Sequence, residues 1–225
     1  KLDFLAMVNV AGSLRQLDHK HYTLFSRMLG PLMKQPVTDV ATLLRCVQAY
    51  SWAGYQQEHG FFAHCAQVLA DEAMQLPAGQ LVEACALYGS AAHYHSLFFQ
   101  AAAHALLTRH LVEQELQLRE VAVVAKAFTD HLQTVHDDVL TSVARVLERE
   151  AAHMDLIDVI RCLSAFRRVA LCMDDGLRAG LTACLMPLRL GWLLRRPIDG
   201  IRPSHVVLLL DCASYFGIPS NAIRA

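Results

Sequence analysis

Histidine is the residue type in this chain most suited to chemistry. There are twelve copies; His93 and His95 flank Tyr94, and His104 and His110 follow. Imidazoles hold metals and move protons near neutral pH. On a helix, however, residues two apart point to different faces, so His93 and His95 share a ligand only if they lie in a turn. No Cys, Asp or Glu stands at ligand spacing beside them, and HExxH is absent. They read as histidines on a repeat surface. Three acidic pairs, Asp71 with Glu72, Asp137 with Asp138 and Asp174 with Asp175, could serve acid–base catalysis. Two of them occupy equivalent places in a repeat, before its second helix, where a carboxylate favours the positive end of the helix dipole. A cap explains such recurrence and a single active site does not. GxSxG, GxGxxG and the phosphate loop are absent. The expectation is therefore no catalytic residue, no metal ligand, no cofactor, no small-molecule substrate and no enzymatic activity.

The stronger candidate is basic. Arg161, Arg167 and Arg168 sit in or just after one helix, Arg178 and Arg189 in the next, and Arg195, Arg196 and Arg202 in the stretch beyond, beside Trp192. Guanidinium forks suit phosphate and carboxylate, and an indole offers a stacking face. The cluster is a candidate contact for RNA or another anionic partner. The plainer alternative is a solvated face whose charges complement helix ends.

What must position these residues is a repeat. Leu43, Cys46, Val47 and Tyr50 stand at i, i+3, i+4 and i+7, one face of a 3.6-residue helix. The pattern recurs at Met7, Val10, Ala11 and Leu14; at Leu81, Ala84, Cys85 and Tyr88; at Val121, Val124, Ala125 and Phe128; and at Val159, Cys162, Leu163 and Phe166. A second set runs in phase with it: Phe25, Met28, Leu29, Leu32; Phe62, Cys65, Ala66, Leu69; Phe99, Ala102, Ala103, Leu106; Leu140, Val143, Ala144, Leu147; and, more loosely, Leu177, Gly180, Leu181, Cys184. Two phased sets predict an all-α chain, an α-solenoid of five to six helix-turn-helix repeats of 36–40 residues. The alternative is an irregular helical bundle. The expected units are 1–36, 37–75, 76–113, 114–153 and 154–190, then an irregular stretch 191–203 and a partial unit 204–225, all in one domain. Tyr215, with Leu208 and Cys212 behind it, reads as the next quartet terminus, set late by an insertion around Gly191 to Pro203.

Local signals give the turns. Leu17 to His21 and Gly54 to Gly60 are expected turns, another lies near His93 to Ser96, and Thr38 or Asp39 is an expected N-cap. Gly30 and Pro31 fall inside a helix they should bend or shorten. The core aromatics Tyr50, Tyr88, Phe128 and Phe166 belong to packing rather than to base stacking.

Composition agrees. The chain has 225 residues, 54% apolar and 18% charged, enough to bury a large core and too apolar for disorder. Seven cysteines lack a CxxC pair and read as small core residues in a reducing compartment. No uncharged apolar run of about 18 residues suggests a membrane span. The chain starts at Lys1 inside a helical pattern, which suggests a segment of a longer protein. Charge is segregated: net +3 over residues 1–34, −7 over 35–153 and +3 over 154–225. Separate segments are thus suited to different partners.

The helix pairs, with a small residue before an aromatic at Ala49-Tyr50, Ala127-Phe128 and Ala165-Phe166, resemble organellar helical-repeat proteins. Octotricopeptide and heptatricopeptide repeats and those of the FAST-kinase-domain group are the nearest. The Ala-, His-, Arg- and Cys-rich composition resembles mitochondrial proteins of kinetoplastid protists. The resemblance covers nearly the whole chain on loose motifs. It implies a scaffold in a mitochondrial RNA-processing, RNA-editing or ribosomal assembly, with protein subunits as partners and RNA as a second partner; the missing apolar run adds the expectation of no membrane. This chain departs from the pattern in being near neutral, and it shows no terminal nuclease-like module. The alternative is a protein-interaction module of HEAT or armadillo type with no RNA contact.

Overall fold

The apolar quartets become helices. The structure, a computed structural model, describes residues 3–34, 39–55, 58–90, 94–130, 136–150, 153–170 and 202–215. Among the described residues every regular element is helical: α1 (Phe4–Gln16), α2 (Tyr22–Met33), α3 (Val40–Trp52), α4 (His59–Glu72), α5 (Ala78–Ser90), α6 (Ser96–Thr108), α7 (Leu111–Gln114), α8 (Leu118–Thr129), α9 (Asp137–Glu150), α10 (Leu156–Ala170) and α11 (Pro203–Tyr215). The chain forms two compact units, residues 1–105 and 106–225. In the first, α1 packs on α3 and α3 on α5, while α2 pairs with α1 and with α4. In the second, α8 packs on α10 and α10 on α11, while α9 lies against α7 and α8.

The buried faces are those of the quartets. Leu43, Cys46, Val47 and Tyr50 are buried, as are Leu81, Ala84, Cys85 and Tyr88. The same holds for Val121, Val124, Ala125 and Phe128, and for Val159, Cys162, Leu163 and Phe166. On the second helices Phe62, Cys65, Ala66 and Leu69, then Phe99, Ala102, Ala103 and Leu106, then Leu140, Val143, Ala144 and Leu147 are all buried. The two middle positions are mostly Ala, Cys or Val, which lets neighbouring helices approach, while the outer positions carry the bulk. Each buried Leu or Phe contributes roughly 1.5–3 kcal/mol of transfer free energy, so it is the stripe and not helix propensity that fixes each helix. The first and last copies depart from the pattern. Val10, Leu14 and Leu29 are only half-buried. In α11 the buried pair is Leu209 and Cys212, with Leu208 and Tyr215 half-buried.

Tyrosine adds a polar clasp to the first unit. The Tyr50 hydroxyl donates to the Phe25 carbonyl at 2.9 Å, and the Tyr88 hydroxyl donates to the Phe62 carbonyl at 2.9 Å. Each bond ties the end of a first helix to the start of the preceding second helix. Phe128 and Phe166 hold the corresponding places in the second unit with no hydroxyl to donate.

First and second helices are capped by different chemistry. Asp3 accepts from Ala6 N at 2.7 Å, and Asp39 accepts from Thr42 N at 2.7 Å and from Thr42 Oγ1 at 2.6 Å. At α8 the Gln117 amide donates to Glu120 Oε2 at 2.8 Å. At two of the second helices, α2 and α6, the cap is an imidazole: His21 Nδ1 accepts from Leu24 N at 3.3 Å and His95 Nδ1 from Phe98 N at 3.4 Å.

Several boundaries differ from the sequence reading. Gly60 lies inside α4, so the preceding turn ends at Glu58; Gly54, with φ of 88°, takes the left-handed place that ends α3. Asp137 and Asp138 are the first two residues of α9 rather than residues before it. Pro31 stays within α2, which ends two residues later at Met33; its missing N–H removes one bond of the last turn without bringing the helix to an earlier stop. The expected boundary at 113/114 falls inside α7, which His110 separates from α6 by adopting a φ of 52°.

Candidate interaction surface

Three of the sequence-predicted arginines lie on α10, and each faces a carboxylate. Arg161 Nη1 is 2.7 Å from Asp158 Oδ1, one turn away. Asp158 is 5% exposed, so this pair neutralises a charge the fold has otherwise buried. Arg168 pairs with Asp130 at the end of α8, which also takes the Lys126 ammonium at 3.3 Å. Arg167 pairs with Asp211 of α11, and its guanidinium lies 5.9 Å from the centre of the Tyr215 ring. Arg167 Nε is buried and makes no hydrogen bond. Arg202 is exposed, and its carbonyl opens α11 by accepting from His205 N at 2.8 Å and Val206 N at 3.3 Å. Arg178, Arg189, Trp192, Arg195 and Arg196 lie outside the described residues, as do Asp174 and Asp175. The structure thus brings Arg167 and Arg168 into the α8–α10–α11 row as ties between helices.

A parallel tie crosses the first unit. Arg15 of α1 donates to Gln48 Oε1 of α3, and Gln48 Nε2 donates to Glu83 Oε1 of α5. Three polar side chains, Arg15 and Glu83 exposed and Gln48 half-buried, therefore link three successive first helices.

Tyr50, Tyr88, Phe128 and Phe166 are 0%, 1%, 3% and 0% exposed, and none of these rings is open to a base. Tyr50 meets Phe25 edge-on at 5.0 Å and Phe61 at 4.7 Å. Burial raises the ionisation of both tyrosines far above the ordinary range. It also pushes the thiols of Cys46, Cys85 and Cys162 up to about 12 and that of Cys212 to about 11. These cysteines are core atoms and poor nucleophiles.

Among the described residues no group of three or more His, Cys, Asp or Glu could hold a metal ion, and no helix is long and apolar enough to cross a membrane. His95 spends its Nδ1 on a cap, His104 is exposed, and His93 lies outside the described residues. Asp71 and Glu72 are exposed at the end of α4; Asp71 accepts from Gln67 at 2.9 Å.

Two features were open to sequence reasoning and escaped it. Histidines stand at the start of four second helices: His21, His59, His95 and His136. Their spacing follows the repeat, which marks them as structural. His136 packs edge-on against Phe128 at 5.2 Å. Burial lowers its proton affinity, partly opposed by Asp137. The other feature is the exposed face of α2, where Arg27 and Lys34 stand without an acidic neighbour in the helix.

Comparison with protein-family models, with curated proteins and with solved structures finds no match to this chain.

Proposed function

We propose that the chain is a non-enzymatic helical-repeat scaffold of solenoid type that holds protein subunits of a mitochondrial ribonucleoprotein, in RNA processing, editing or ribosome assembly. The observation that carries the scaffold reading is the side-by-side row of first helices within each unit. α1, α3 and α5 in one, and α8, α10 and α11 in the other, pack side by side and bury most of their quartets. Their outward faces are left to serve as extended surfaces for partners. The organellar and RNA context rests on the resemblance of the repeat pattern alone.

RNA contact through the three arginines of α10 is the part of this reading that the geometry of the described residues supports least. Arg161, Arg167 and Arg168 each already hold a carboxylate, so a phosphate there would replace an existing partner rather than satisfy a free cation. This favours protein contacts as the primary role. A module of HEAT or armadillo type with no RNA contact is the second reading, supported by the same three pairs.

Affinity purification of the full-length protein from its own cells, with and without ribonuclease, tests the proposal. Expected is a fixed set of protein subunits that survives ribonuclease, together with RNA that does not. Subunits lost on ribonuclease treatment would refute direct protein scaffolding. A complex free of RNA before treatment would replace the first reading with the second.

A further inference from the structure

We propose that the outer face of α2, continued by the α1–α2 turn, is a track for single-stranded RNA; the choice of partner rests on the ribonucleoprotein reading above. From His19 to Lys34 the chain carries Lys20, Arg27 and Lys34, with His19 and His21, and no carboxylate. Asp18 is the nearest acid in sequence. Thr23, Arg27, Gly30 and Lys34 stand at i, i+4, i+7 and i+11, one stripe of the helix, and all four are exposed. Phe25, Met28 and Leu32 are buried on the opposite side. Seven residues separate Arg27 from Lys34, which places these cations about 10 Å apart along the axis.

Rings accompany the cations at the N-terminal end of the track. Tyr22 is 58% exposed, and its carbonyl accepts from the Tyr55 hydroxyl, so the main chain beneath the ring is pinned. The Lys20 ammonium lies 5.3 Å from the centre of the Trp52 ring. His19 and His21 meet edge-on at 5.9 Å. Cations in line with exposed rings are the combination that tracks a phosphate backbone and stacks its bases. An acidic peptide would use the cations and leave the rings without a role.

The test is fluorescence anisotropy of purified full-length protein with a dye-labelled oligouridine at about 50 and about 200 mM salt. Three phosphate contacts predict a log–log salt slope of about −2 for a single strand. Lys20→Ala, Arg27→Ala and Lys34→Ala combined should weaken binding at least about ten-fold at low salt and bring the slope close to zero. Tyr22→Ser should weaken binding by about ten-fold with the slope unchanged. Circular dichroism checks that both variants keep their helices, as expected for exposed positions. The proposal is overturned if the wild-type protein does not bind at low salt. It fails equally if the triple variant binds like wild type, or if polyglutamate or phosphatidylserine vesicles compete as well as unlabelled RNA. Failure here with ribonuclease-resistant subunits intact removes the track and leaves the scaffold. Loss of those subunits removes the scaffold whatever the oligouridine result.

Discussion

Removing the Tyr50 hydroxyl tests whether the tyrosine clasp holds the first unit together. Tyr50→Phe keeps the ring, with its contacts at 5.0 Å to Phe25 and 4.7 Å to Phe61, and deletes only the 2.9 Å bond to the Phe25 carbonyl. That carbonyl sits within α2 and keeps its helical partner, so no acceptor is orphaned. The cost is then that of an ordinary net hydrogen bond, about 1 kcal/mol. Tyr88→Phe removes the equivalent bond to Phe62 and should cost a similar amount. The thiols of Cys46 and Cys65 supply a local readout, since both are buried and their ionisation is suppressed by burial. They react with iodoacetamide only when the first unit opens. A loss of about 1 kcal/mol raises the open population, and so the alkylation rate, about five-fold. Mass spectrometry of tryptic peptides reads each thiol separately. An unchanged rate at Cys46 and Cys65 in both variants would refute the reasoning. A rate rising a hundred-fold would show that the hydroxyl does far more than close one bond.

The remaining predictions concern ends and ties. Asp39→Ala removes the acceptor for Thr42 N and Oγ1 and should cost about 1 kcal/mol in urea denaturation, with Asp39→Asn recovering most of it. Arg168 and Asp130 are partly exposed, at 41% and 17%, so a double-mutant cycle with Arg168→Ala and Asp130→Ala should give a coupling of a few tenths to about 1 kcal/mol that shrinks in high salt. Burial lowers the proton affinity of His136 in the fold, so the unfolded chain takes the proton first as pH falls. Stability should therefore be level above the ordinary histidine value of about 6.5 and should fall with pH below it. His136→Phe should flatten that slope in denaturation curves collected across the interval; a slope unchanged by the substitution would discard the assignment.

The helical class was legible because helix burial is written at fixed offsets. A quartet such as Leu81, Ala84, Cys85 and Tyr88 has one explanation at i, i+3, i+4 and i+7, and all four are buried. Leu14, Leu29 and Leu208 matched the same pattern and are only half-buried. Periodicity records which face could be buried, not whether something covers it. Turn ends were less legible: Gly60 was read as a turn residue, yet α4 begins at His59. A helix tolerates glycine when the following Phe61 and Phe62 are packed into the core. The pairs made by Arg167 and Arg168 were illegible for a different reason. Arg168 and Asp130 lie 38 residues apart, one repeat, and a salt bridge between neighbouring helices leaves no local spacing to detect. The histidines at helix starts could have been found, since His21, His59, His95 and His136 recur at intervals close to the period. Of these only His95 was weighed as a ligand, and none was read as a repeat position.

Those arginine pairs change how charge should be read in a repeat protein. Net charge counts a guanidinium the same whether it is free or spent. On α10, Arg161, Arg167 and Arg168 contribute three positive charges, and Asp158, Asp211 and Asp130 cancel them locally. A phosphate arriving there must displace a carboxylate held at hydrogen-bonding distance, and it leaves that carboxylate to be solvated or repelled. The gain is a difference between two similar ion pairs, which in partly exposed surroundings is small. On the outer face of α2, Arg27 and Lys34 have no acid on their own helix. A polyanion there releases counterions rather than exchanging one partner for another, and that release is what makes binding steep in salt. The three arginines of α10, prominent in the sequence, are thus already spent on carboxylates in the fold. The discriminating measurement is the change in salt slope on removing each set: it should be near zero for Arg161→Ala with Arg168→Ala, and substantial for Arg27→Ala with Lys34→Ala. The reverse order would show that the carboxylate partners of α10 yield to phosphate, and that the arginines act as cations after all.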